Sequence, residues 1–219
     1  MSSSLRYDFL TTTRADAEGA FDPVARSSLA HRHRALEARF ERQDGWLVPA
    51  AYPHEGAHRT AGVTDVSHIG KLEVFAHPQP EDDAIQDGVR VGPDHWVVVC
   101  RYRDLLDLQG RLDRGCDFFV DRTSAWCALL LSGPERETML RRLSPIAEVP
   151  GRGPIGKIPG TILSRPSGYW LLFSQEFAQY GWDLAVDLAA PLDGGPIGVS
   201  AVATDEPLLS LHRPVEATL

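Results

Sequence analysis

Cysteine is scarce in this chain and poorly placed for chemistry. The three cysteines, Cys100, Cys116 and Cys127, contain no Cys-x-x-Cys pair, which excludes a disulfide framework and a cysteine-ligated zinc site. Cys100 closes an apolar run and Cys127 opens one, the usual setting of a buried free thiol. Long apolar runs are missing too. Nothing approaches the roughly 20 residues of a membrane span, and the N-terminal stretch carries no apolar segment of signal-peptide type. Positive charge is in deficit: 22 Lys and Arg stand against 30 Asp and Glu, for a formal net charge of -8. Such a chain is repelled by nucleic acid and anionic membrane alike. The expectation is a cytoplasmic protein that binds neither.

Catalytic and metal motifs are equally thin. No serine sits in a Gly-x-Ser-x-Gly elbow. His31 and His33 are two apart, so on a helix they point to different faces. His54 and His58 have i, i+4 spacing, but Pro53 and Gly56 argue against a helix there, and no metal site is expected. Gly151-Arg152-Gly153-Pro154-Ile155-Gly156 mimics a dinucleotide-binding glycine pattern. It runs into Lys157-Ile158-Pro159 rather than a helix, so it reads as a loop.

What is present is enough apolar sequence, 43% over 219 residues, for one globular unit. Residues 1–20 are polar and aperiodic, as a mobile tail would be. Leu29, His33, Leu36 and Phe40 recur at helical spacing, predicting a helix over about 28–42 that Gly45 stops. Alternation predicts a strand over 71–75, and His77–Asp83 reads as a loop. Residues 89–100 read as strand, turn and strand about Gly92-Pro93-Asp94. Leu105, Leu108 and Leu112 mark a helix over 104–113. Short strands follow at 118–120 and 125–131, then a helix carrying Met139, Leu140 and Leu143. Prolines and glycines make 144–160 an irregular connection. A hairpin is expected at 161–173 about Pro166-Ser167-Gly168. A helix follows on Phe177, Tyr180, Leu184 and Leu188, then a last strand at 197–202, and 205–219 trail off. This order favours an α+β fold with mixed or antiparallel sheets and helices on one face. The folded unit is expected to span 21–204, between the tail of 1–20 and that of 205–219.

The stretch SSLAHRHRALEARFERQDGWLVPAAY followed by AGVTDVSHIGKLEV resembles the N-terminal region of the aminomethyltransferase family, which includes the glycine-cleavage T-protein and the folate-binding domain of sarcosine oxidase. Gly45, Trp46, Pro49, Tyr52, Asp65, Ser67, Gly70 and Lys71 match its motifs, while Ser28 stands where the family has proline. Similar blocks continue through VGPDHWVVVCRYRDLLDLQGRLD, VDRTSAWCALLLSGPERETMLRRL, GKIPGTILSRPSGYWLLFSQEFAQYGWDLAV and GGPIGVSA. The resemblance covers about 28–203 and implies a folate-binding domain without the family's C-terminal barrel.

What the resemblance implies about a site is a cleft for tetrahydrofolate or another small molecule. Trp46, Tyr52, Asp65 and Trp170 are the ligand-binding candidates, and Asp87 and His68 the catalytic ones. Asp87 lies in 76–88, a segment much shorter than the family's stretch carrying the catalytic aspartate. His68 fits either a general base or the packing histidine common at this position in the family. Departures are specific. Trp170 stands about where the family has a pterin-binding glutamate, and Val202-Ala203 stand where it has Arg-Asp. Three functional classes therefore stay open. The first is a transferase-like enzyme, using tetrahydrofolate or repurposed to another small molecule. The second is a non-catalytic subunit or interaction module resembling the small subunit of heterotetrameric sarcosine oxidase. The third is a regulatory or small-molecule-binding module. A protein partner or a homo-oligomer fits the second.

Overall fold

The structure is a computed structural model that describes residues 23–57, 60–76, 88–146 and 148–210. The chain opens with β1 (Ala25–Arg26), a short helix α1 (Ala30–Ala35), β2 (Arg39–Gln43) and β3 (Trp46–Ala51). The helix expected over 28–42 is thus cut to its first half. The reason is local: Glu37 turns the backbone with φ 55, and Asp44-Gly45 take φ 49 and 82. Two consecutive positive φ values make the type I′ turn that Asp-Gly favours, and its twist suits a hairpin. Gln43 pairs with Trp46 across that turn. Gly45 therefore closes a hairpin rather than a helix. Only Leu29 and His33 of the predicted stripe are buried, while Leu36 is exposed.

β4 (Gly62–Asp65) leads through the Val66–Ile69 turn into β5 (Gly70–Phe75), followed by β6 (Val89–Gly92) and β7 (His95–Cys100). Then come α2 (Leu105–Gly115), β8 (Phe118–Asp121), β9 (Trp126–Ser132) and α3 (Arg136–Leu143). The stretch expected to be irregular instead holds β10 (Gly151–Ile155) and the start of β11 (Ile158–Arg165), joined by a two-residue turn with Gly156 at φ 58. Pro154 is tolerated because β10 is the edge strand of its sheet. β12 (Gly168–Ser174) pairs with β11 as expected. α4 (Ala178–Ala189) buries Ala178, Gly181, Trp182, Ala185 and Ala189, so the face on Phe177 and Tyr180 is the outer one.

The predicted last strand is also revised. Only β13 (Gly195–Pro196) pairs with β4, and Val199–Val202 form a single helical turn, α5. Gly198 sits against the backbone of Ala50 and Ala51, leaving no room for a side chain. Its N–H donates to Glu55 Oε2 at 2.8 Å, so the chain is pinned there and turns away from the sheet. Residues 205–210 pack down rather than trail off. Leu209 is fully buried, and buried Glu206 accepts from Arg165 and Ser167 at 3.3 Å each. The tails at 1–20 and 211–219 and the loop 77–83 lie outside the described residues.

The elements make a three-stranded sheet (β1-β3-β2), a six-stranded sheet (β10-β11-β12-β9-β4-β13) and a four-stranded sheet (β6-β7-β5-β8). The first two are mixed, since β1–β3 and β13–β4 are parallel. Each of the larger sheets carries its main helices on one face, as expected for α+β. Leu129, Leu131, Ile162, Leu171 and Phe173 meet α3 and α4 on one face of the six-stranded sheet. Ala128, Leu130, Leu163, Trp170 and Leu172 on its other face meet Val97 and Val99 of the four-stranded sheet. Leu72, Val74, Trp96 and Val98 pack outward on α2. The strands that face both ways read as near-continuous apolar runs for this reason.

Candidate functional site

The Asp65–Lys71 turn is a buried polar hub. Asp65 Oδ1 accepts from the Ser67 amide at 2.9 Å, and its Oδ2 lies 2.8 Å from His33 Nε2. His33 Nδ1 is 2.7 Å from the Tyr52 hydroxyl. Burial alone would push the Asp65 carboxyl up. Hydrogen bonds from His33, Ser27 and Ser67 outweigh it and hold the group well below the ordinary carboxylate value. A carboxylate only accepts, so His33 donates to it through Nε2. Burial, then the charges of Asp65 and Glu55, keep Tyr52 a phenol by pushing it well above its usual value. Lys71 is fully buried, its Nζ donating to Ser67 O at 2.7 Å and Ile69 O at 3.0 Å. Desolvation lowers that ammonium to about 8.

The structure brings Tyr52 and Asp65 together through His33, a link that helical periodicity alone did not reveal. His68 lies in the same turn, and burial drops its imidazole to about 4, so the ring is neutral near pH 7. Trp46 and Trp170 share the inter-sheet core, Trp170 with no exposure and its indole N–H donating to Ser167 Oγ at 3.1 Å. Trp170 therefore fills the core and offers no free ring face to a ligand. Asp87 lies outside the described residues. Trp46, Tyr52, Asp65, His68 and Trp170 belong to the interior frame of the molecule.

An accessible cavity of about 260 Å³ opens elsewhere, at the far edge of the inter-sheet space. It is lined by Trp126, Arg152, Pro159, Thr161, Leu172 and Ser174. Behind Arg152 stands a charged cluster around Glu73, whose side chain is 4% exposed. Arg122 Nε donates to Glu73 Oε2 at 2.6 Å, and His95 Nε2 lies 3.1 Å from Oε1. Arg152 Nη1 is 3.0 Å from His95 Nδ1 and 3.8 Å from Glu73 Oε1. The Arg122 guanidinium lies over the Trp126 ring at 5.8 Å. Sequence reasoning passed over Glu73 and His95. The available signal was Glu73 on the face of β5 opposite Leu72 and Val74, which a sandwiched sheet must bury and pair.

A larger hollow of about 540 Å³ lies on the opposite face of the six-stranded sheet, beside α3. Three of its polar groups pair: Tyr169 donates its hydroxyl to Glu137, which also accepts from Arg141 at 3.1 Å. Among the described residues, no group of three or more His, Cys, Asp or Glu could hold a metal ion. Nor is any helix there long and apolar enough to cross a membrane.

The architecture is that of the aminomethyltransferase fold. The glycine-cleavage aminomethyltransferase T of Bartonella henselae superposes with a TM-score of 0.63 at 17% identity, over 83% of this chain and 62% of that one. A chain of the heterotetrameric sarcosine oxidase of Corynebacterium sp. U-96 gives 0.55 at 18% identity, over 80% of this chain and 99% of that one. In sequence, an aminomethyltransferase of Herpetosiphon aurantiacus is 24% identical over 81% of this chain. One of Rubrobacter xylanophilus is 30% identical over 54%. The chain spans 62% and 42% of the length of these two relatives. No family model matches it. The chain is a relative of the aminomethyltransferases and has their fold.

Proposed function

We propose that the protein binds a flat, anionic small molecule, a folate or a compound of like chemistry, at the Trp126–Arg152 cavity and acts on it as a transferase-like enzyme. The supporting observation is the pairing of an aromatic side chain with a half-exposed guanidinium at a cavity mouth. Convergent polar groups in an otherwise apolar hollow are what small-molecule sites share. About 260 Å³ is below the roughly 300–1,000 Å³ that encloses a drug-sized ligand. One end of a tetrahydrofolate would enter, its ring system or its carboxylate-bearing tail, with the remainder outside; a smaller metabolite would fit whole. Transfer of one carbon from tetrahydrofolate is the family-like form of this function, and a repurposed substrate is the other.

Isothermal titration calorimetry of the full chain with tetrahydrofolate and a panel of aromatic carboxylates tests it. Arg152→Ala should weaken binding roughly ten- to hundredfold, as loss of a charged hydrogen bond does. Absence of heat with every compound sinks the proposal, and so does binding that is unchanged in both Arg152→Ala and Trp126→Ala.

The subunit reading has its own support. Nearly the whole of a chain from a heterotetrameric oxidase is matched in fold, and Phe118 and Leu106 are more than half exposed. Sedimentation velocity separates the two: a monodisperse monomer that a small ligand stabilises is incompatible with a subunit that needs partners.

A further inference from the structure

We propose that Glu73 and His95 form a proton-accepting dyad behind the cavity, blocked by Arg152 in the free protein and released when an anionic ligand draws the guanidinium away. This rests on the cavity being the ligand site. The tautomer follows from donor chemistry. A guanidinium has only donors, so its Nη1 at 3.0 Å makes His95 Nδ1 the acceptor. A neutral His95 then carries its proton on Nε2, which lies 3.1 Å from Glu73 Oε1 without reaching hydrogen-bond geometry. A carboxylate at that distance stabilises the protonated form of the imidazole through its charge.

The ring is held for this purpose. His95 is the register partner of Phe75, and their rings stack at 4.4 Å and 15°. Glu73 is fixed in turn by Arg122. Arg152 differs from these groups. Its side chain is 51% exposed, and among the described residues it alone both lines the cavity and contacts His95. A ligand carboxylate or phosphate on the cavity side competes for its donors at little cost, because half of the guanidinium already faces water. Freed, Nδ1 takes a proton from an N–H or O–H of the bound molecule. That bond breaks with its electron pair left on the ligand heteroatom, and the imidazolium is stabilised by Glu73. Return of the proton to product or water restores the neutral ring.

The charged groups around the ring set its titration. Glu73 faces it from β5 and Arg152 from β10. Arg122 approaches through Glu73, Asp94 precedes it in the turn, and Arg90 of β6 lies over Trp96 at 5.6 Å instead. Burial and then the Arg152 cation depress His95, while Glu73 raises it.

The test is an NMR titration of the His95 ring in the full chain, with the resonance assigned by His95→Gln and benzoate as probe. Arg152→Ala without ligand should raise the pKa of His95, and Glu73→Gln should lower it. Saturating benzoate should raise it in the wild type but not further in Arg152→Ala. Neutral benzamide should do nothing. An unchanged His95 in Arg152→Ala overturns the block. Benzoate that binds by calorimetry without moving His95 overturns the release and leaves the cavity reading standing. Absence of both heat and shift overturns both.

Discussion

Replacing Asp65 with Asn probes the hub on which the first half of the fold is pinned. The carboxylate accepts from the Ser67 amide at 2.9 Å and pairs with His33 Nε2 at 2.8 Å, with Ser27 as a further donor. An amide keeps one acceptor. If that oxygen stays on the Ser67 N–H, the new NH2 confronts the His33 N–H. The ring must then move its proton to Nδ1, and the Tyr52 hydroxyl, 2.7 Å away, must turn from donor to acceptor inside the core. The loss is one charge-assisted hydrogen bond plus a stranded phenol hydrogen, about 2–3 kcal/mol at neutral pH. Urea unfolding at pH 6 should show this as a lower midpoint with an unchanged slope. The sign with pH is fixed by linkage. Asp65 is depressed in the folded state, so its contribution is complete above the ordinary carboxylate value of about 4 and is lost as pH falls below it. The deficit of the Asn variant should therefore shrink by about 1 kcal/mol between pH 6 and pH 3. A variant as stable as wild type at pH 6, or one with the same deficit at both pH values, would refute the hub.

Lys71→Met addresses the other buried charge. With a folded value of about 8 against 10.5 for an unperturbed lysine, the unfolded chain binds the extra proton between those pH values. Wild-type stability should gain about 3 kcal/mol across that interval relative to the Met variant; parallel pH–stability curves would exclude a buried ammonium there. Gly168→Ala at φ +142 would place a Cβ 2.0 Å from Leu131 O on the neighbouring strand, so a loss of about 3 kcal/mol or more is expected in thermal unfolding. Leu209→Ala should cost about 2–4 kcal/mol, since Leu209 has no exposure. A neutral effect would show that residues 205–210 do not belong to the folded unit.

Local signals carried much of the fold. Strands β5, β6, β7, β8 and β12 and helices α2, α3 and α4 were legible because alternation, Gly-Pro-Asp and Pro-Ser-Gly turns and i, i+3, i+7 leucines are properties of single segments. The relationship to aminomethyltransferases was legible as well, in the Gly45–Tyr52 and Asp65–Lys71 motifs. What failed locally failed where two signals competed. At Arg39–Gln43 a helical stripe lost to the Asp44-Gly45 hairpin turn, because the tertiary pairing of β2 with β3 rewards extension. At 151–160 the prolines and glycines suggested a loop, yet an edge strand accommodates them.

The candidate site divides along the same line. The sequence by itself determined an acidic composition, an α+β order and a set of motif residues. Those residues, Trp46, Tyr52, Asp65, His68 and Trp170, all proved to be interior, since a motif marks what the frame needs as readily as what a ligand touches. Only the tertiary structure decided that Glu73, His95, Arg122 and Arg152 meet. They come from β5, β7, the turn after β8 and β10, on two different sheets. No spacing rule links such positions. Their convergence exists because burying Leu72 and Val74 against α2 turns Glu73 toward the facing sheet, where an unpaired carboxylate would be costly.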